Sequence, residues 1–97
     1  LRVGTIKKVD EIEGADKLYK LEIEVGKEKK IILAGIKQFY TKDELKGKQV
    51  VVIMNLESRK MRGIESQGMI LAAISEDHSK VILLSPDKKI DSGSKVQ

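Results

Sequence analysis

The chain has no cysteine and no tryptophan, one proline, one histidine, one asparagine and three aromatic residues, Tyr19, Phe39 and Tyr40. Without cysteine there are no disulfides and no thiolate metal sites. A single histidine rules out a zinc centre built on histidines. So few aromatics leave little on which to stack the bases of a splayed single strand. No apolar run approaches the ~18 residues a membrane helix needs. There is no glycine-rich phosphate loop, no twelve-residue calcium loop and no serine or histidine with a partner at catalytic spacing. Asp10, Glu11, Glu13 and Asp16 crowd one segment and read as a solvated loop rather than a cation site. His78 sits in a polar turn. The expectation is a protein without an active site, a cofactor, a metal or a small-molecule substrate, working in the cytoplasm. The first residue is Leu1, so a segment upstream is not excluded.

What is present fits one domain over residues 1–97, large enough to bury roughly two-thirds of its unfolded surface. Charged residues make up 35% and the net charge is +4, which permits polyanion binding without demanding it. Leu1 to Val9 reads as a first strand. Gly4 inside it suggests a bulge or sharp bend. Leu18 to Val25 alternates apolar and charged residues with a period of two, the pattern of a half-buried strand. Gly26 to Glu28 forms a turn, and Lys29 to Gly35 returns as the second arm of a hairpin. Thr41 with Glu44 three residues on is a capping box, and Gly47 closes a helix of one or two turns. Gln49 to Met54, Gly68 to Ile74 and Lys80 to Leu84 read as further strands, and Ser75 to Ser79 as a turn. The tail after Pro86 is polar and loosely attached unless Ile90 or Val96 pins it. This order predicts an all-β, five-stranded OB barrel with a short helix between strands three and four and a C-terminal extension. An SH3-like barrel with an added helix is the alternative. OB barrels bind nucleic acid on the face of strands two and three and through the first-to-second and fourth-to-fifth loops. Those loops are Asp10 to Lys17 and Leu56 to Gln67.

The second loop holds three cations, Arg59, Lys60 and Arg62, but Glu57 and Glu65 leave it a net charge of only +1. Arginine forks and a lysine ammonium suit phosphate oxygens; a solvated loop is the plain alternative. Ser66 and Gln67 are placed to bond RNA hydroxyls or to cap the turn at Gly68. Asn55 stands at the end of a strand, where its side chain can bond loop backbone. Met69 is more naturally core than contact. Gly63 and Gly68 supply positive φ or close approach.

The segments LRVG (Leu1 to Gly4), ADKLY (Ala15 to Tyr19), NLESRKMRGIESQGMILAA (Asn55 to Ala73) and GSKV (Gly93 to Val96) resemble the tRNA-binding domain family. That family includes stand-alone structure-specific tRNA-binding proteins and the C-terminal domain of many methionyl-tRNA synthetases. The resemblance implies an OB fold that binds tRNA at its outer elbow without regard to identity, and often dimerises. It carries tRNA contact onto Asn55, Arg59, Lys60, Arg62, Ser66 and Met69. Two departures stand out. Glu57-Ser58 replaces a Lys-Pro common in relatives, and Glu13-Gly14 replaces a His-Pro. The reading is therefore a non-catalytic tRNA-binding module, an appendix of a synthetase or a stand-alone homodimer. The rival is a protein-interaction module of a synthetase complex.

Overall fold

The computed structural model describes residues 1–54, 59–61 and 63–97, with Arg59 and Met61 described by their backbone alone. Five strands make one antiparallel sheet in the order β3-β2-β1-β4-β7. They are β1 (Arg2–Glu11), β2 (Tyr19–Val25), β3 (Glu28–Ala34), β4 (Gln49–Ile53) and β7 (Met69–Ile70). A second pair, β5 (Arg59–Met61) and β6 (Ile64–Ser66), forms a hairpin between β4 and β7. A third, β8 (Ala72–Ile74) and β9 (Val81–Leu83), follows. A short helix, α1 (Lys42–Leu45), lies between β3 and β4. The sheet curls into a half-barrel, and the fold is the OB type that the order of elements predicts.

The curl begins in β1. Its N-terminal half pairs with β4 (Arg2 to Val52, Thr5 to Gln49) and its C-terminal half with β2 (Ile6 to Ile23, Glu11 to Tyr19). A register shift between Ile6 and Lys8 leaves Lys7 as the extra residue of a bulge, and a bulge bends and twists its strand. The bulge is thus at Lys7, not at Gly4. Gly4 serves close packing instead: a Cβ there would stand 2.6 Å from Ile23 Cγ2. β2 shows the alternation read from its sequence, with Tyr19, Leu21, Ile23 and Val25 all buried. Val25 pairs with Glu28, so Gly26 and Lys27 form a two-residue turn. Only Gly26 of the two has positive φ (63°), the pattern of a II′ hairpin turn.

The inward face gathers Ile6, Leu21, Ile23, Ile32, Leu45, Val50 and Val52, all fully buried. Each such side chain contributes about 1.5–3 kcal/mol by leaving water. α1 is too short to be stable on propensity alone. Thr41 Oγ1 accepts from the Glu44 amide (3.2 Å) and Glu44 Oε1 accepts from the Thr41 amide (2.8 Å), completing the capping box. Leu45 then plugs the core. Two tyrosines lock the helix approach: Tyr19 Oη donates to the Tyr40 carbonyl (2.9 Å), and Tyr40 Oη accepts from the Leu83 amide of β9 (3.1 Å). Tyr40→Phe is expected to cost about 1–3 kcal/mol, because it orphans a buried donor. Chemical denaturation checks this, and faster exchange of the Leu83 amide should accompany it.

One sequence expectation fails for a tertiary reason, and for the tail it is the pinned alternative that holds. Gly68 to Ile74 is not one strand. β7 pairs with β4, then Leu71 donates to Val51 and accepts from Leu84, and β8 continues on β9. The tail is firmly docked. Gly93 donates to Val3 (2.7 Å), Val3 to Ser94 (2.8 Å) and Val96 to Leu1 (3.0 Å). Gln49 brackets Ile90 with two hydrogen bonds. The backbone makes these attachments, while the Ile90 side chain is exposed. Among the described residues no helix is long and apolar enough to cross a membrane.

Candidate nucleic-acid interface

The basic loop is largely a β-hairpin. Arg59 pairs with Ser66, Lys60 with Glu65 and Met61 with Ile64. Gly63, with φ of 77°, stands at the tip. The signal was in the sequence: Met61 and Ile64 flank Arg62-Gly63 symmetrically, as apolar residues flank a two-residue turn. Lys60 is exposed, and its rung partner Glu65 is exposed too. Asn55 and Arg62 lie outside the described residues.

The base of the hairpin is held on the outer edge of β3. The Gln67 amide donates to the Ile31 carbonyl (2.8 Å), and Gln67 Oε1 accepts from the Ile31 amide (2.8 Å). Ser66 Oγ accepts from the Leu33 amide (3.1 Å) and donates to the Gly68 carbonyl (3.3 Å). Ser66 is buried. The position of Gly68 explains the glycine: a Cβ would lie 2.8 Å from the Ile53 carbonyl oxygen. Close approach, not positive φ, is the reason at this position. Sequence reasoning weighed Gln67 against a capping role; the contact it makes, to a residue 36 positions away, has no local signature.

The face of β1, β2 and β3 does not resemble a phosphate track. Across its rungs Asp10 meets Lys20, Lys8 meets Glu22 and Glu24 meets Lys29. Each of these three cations has an acidic rung partner, so these rungs are close to neutral. β1 also extends through Glu11, which shortens the first loop. Glu11 accepts from Lys37 Nζ (2.9 Å) and lies 3.5 Å from Lys42 Nζ. The Lys37 hydrogen bond and charge, with Lys42 beside them, hold the Glu11 carboxyl below the usual carboxylate range. The same hydrogen bond raises Lys37. These two lysines are engaged with protein. The aromatics are equally committed: Tyr19 is buried, and Phe39 and Tyr40 are half-buried. None of the three offers an exposed ring for a base.

Met69, expected in the core, is instead 54% exposed at the start of β7. It borders an apolar groove of about 270 Å³ between the end of β3 and the β7–β9 strands, lined also by Leu33, Ile36, Ile70, Ile74 and Leu83.

A methionine–tRNA ligase from Caldanaerobacter subterraneus subsp. tengcongensis is 48% identical over 96 residues, 99% of this chain and 15% of the ligase. The chain therefore spans only a small part of that enzyme's length, and it corresponds to the C-terminal domain of methionyl-tRNA synthetases. The structure of a MetRS-related protein from Pyrococcus horikoshii superposes with a TM-score of 0.92 at 36% identity, covering 99% of this chain and 87% of that one. The chaperone CsaA from Bacillus anthracis gives a TM-score of 0.88 at 28% identity, covering 99% and 88%. A family model described as "Putative tRNA binding domain" matches residues 1–95, and the chain belongs to that tRNA-binding domain family.

Proposed function

We propose that the chain binds folded tRNA through its ribose–phosphate surface, without reading sequence and without catalysis. The observation that carries this is a cation-bearing hairpin clasped to the barrel edge in a member of a tRNA-binding domain family. Arg59, Lys60 and Arg62 supply the phosphate contacts, Asn55 and Met69 flank them, and Ser66 acts from the hairpin base. The near-neutral strand rungs and the lack of an exposed aromatic ring favour recognition of backbone and shape over splayed bases. Joined to a synthetase, or doubled in a homodimer, such a module raises avidity by effective concentration. Its place of work is the cytoplasm.

Titration with mixed tRNA and with linear single-stranded RNA, at two salt concentrations, tests this. Folded tRNA should bind more tightly, with log affinity falling nearly linearly with log salt. Equal or tighter binding of the linear RNA would reject the reading. A variant probes the hairpin's charge. Glu65 sits directly across from Lys60, within cross-strand reach of its charge. Glu65→Gln is therefore expected to strengthen tRNA binding roughly twofold to fivefold at low salt, by removing an anion from the contact surface. The gain should fade as salt rises.

A second reading, a protein-interaction or dimerisation module, draws on the apolar groove and on the exposed Met69, Ile74, Ile82 and Leu84 around and beyond it. Sedimentation without RNA tests the self-assembly that this second reading needs. A monomer at high concentration argues against self-assembly.

A further inference from the structure

We propose that Ser66 and Gln67 are positioning residues for tRNA binding, not contacts: they substitute for a missing strand on the edge of β3 and so fix the basic hairpin in one orientation. The inference rests on the tRNA-binding reading above.

The argument starts from the edge itself. β3 spends one side of its backbone on β2. On its other side the amides of Ile31 and Leu33 and the carbonyl of Ile31 need partners, since unpaired backbone groups at a part-buried edge are costly. No strand register is formed with β6. Two side-chain oxygens take the place of two backbone carbonyls instead: Gln67 Oε1 for Ile31 and Ser66 Oγ for Leu33. Gln67 grips Ile31 at two points, through its amide and its side chain. On the opposite side the chain is confined by the Ile53 carbonyl at Gly68. The hairpin base is thus wedged between β3 and the end of β4.

The consequence for binding follows from register. Ser66 is the rung partner of Arg59, and Glu65, next to it, is the rung partner of Lys60. Fixing residues 66 and 67 fixes the two rungs that carry Arg59 and Lys60. The Ser66 hydroxyl already both accepts and donates within the protein, and the residue is 7% exposed, so it has nothing to offer RNA directly. Holding a binding element in its bound orientation lowers the ordering cost of association.

The test uses the intact chain with Gln67→Met, which keeps length and loses the acceptor, and Ser66→Ala. Three quantities are measured: tRNA affinity across a salt series, exchange of the Ile31 and Leu33 amides, and the coupling of Gln67→Met with Lys60→Ala. The expected result is faster exchange at the matching amide and tRNA binding weaker by roughly threefold to tenfold. The salt slope should flatten no more than it does in Lys60→Ala, because Ser66 and Gln67 carry no charge and act only through the hairpin's cations. The Gln67→Met penalty should shrink in the Lys60→Ala background, as expected for residues acting through one element. Faster exchange with unaltered affinity would overturn the proposal, leaving the clasp purely structural. A Gln67→Met penalty undiminished in the Lys60→Ala background would also overturn it, making Gln67 a contact independent of the hairpin's cations. Should Ser66→Ala fail to fold, the half-buried Gln67 carries the test alone. If Arg59→Ala with Arg62→Ala leaves tRNA binding intact, the hairpin is not the interface and the reading on which this inference rests fails. If that pair weakens binding while Gln67→Met does not, only this inference fails.

Discussion

Gly4→Ala is expected to lower the melting temperature by on the order of 10 °C, a cost of about 1–3 kcal/mol in a domain this size. Gly4 lies in β1 opposite the fully buried Val50. Its φ is unremarkable, so the cost is not one of backbone strain. A methyl group there would meet three others: Ile23 Cγ2 at 2.6 Å, Val52 Cγ2 at 3.0 Å and Val25 Cγ2 at 3.1 Å. All three belong to β-branched side chains, whose χ1 is stiff, and the surrounding core is close-packed. The sheet must therefore shift where β1 leaves β4 for β2. Gly35→Ala is the control. There a Cβ would find only ordinary contacts, Leu18 Cδ2 and the Lys17 carbonyl at 3.9 Å, and stability should be close to unchanged. Thermal melts of the two variants decide the matter. A Gly4→Ala protein melting within a degree of the parent would show that β1 packs differently from this description.

The second large effect concerns binding. Arg59→Ala combined with Arg62→Ala should weaken association with every tRNA alike, by roughly tenfold to a hundredfold. It should also flatten the plot of log affinity against log salt by about 1.5–2 units, the loss of two phosphate contacts. Uniformity across tRNAs matters as much as magnitude, because phosphate contacts position a ligand without reading its sequence. Loss of one tRNA with retention of others would mean base readout. Undiminished binding would place the interface elsewhere.

The candidate site was legible in part. The hairpin's cations stood out as a cluster, and Gly63 was readable as a turn residue. That the loop is two strands was also readable, in the spacing of Met61 and Ile64. What the sequence obscured was division of labour. Ser66 and Gln67 look like exposed polar residues at a loop end, yet one is buried and both hold β3. Met69 looks like core, yet the chain turns it outward where β7 begins. The generic expectation that strands two and three carry the ligand misses the rung-by-rung pairing of acid with base, which depends on the bulge at Lys7 for its register.

By itself the sequence determined the elements whose causes are local. The period-two alternation of Tyr19 to Val25 set a half-buried strand, Thr41 and Glu44 set a capped turn of helix, and Gly26 set a hairpin turn. Their order was enough for the barrel type. The tertiary structure alone decided whatever joins residues far apart in the chain. It broke Gly68 to Ile74 at Leu71, because the strand there exchanges β4 for β9. It docked Gly93 to Val96 on β1, and it made Gly4 a packing glycine. It also turned Ser66 and Gln67 into an edge clasp. Backbone donors and acceptors must all be satisfied, but which distant group satisfies them depends on where the folded chain passes, and no short window of sequence encodes that.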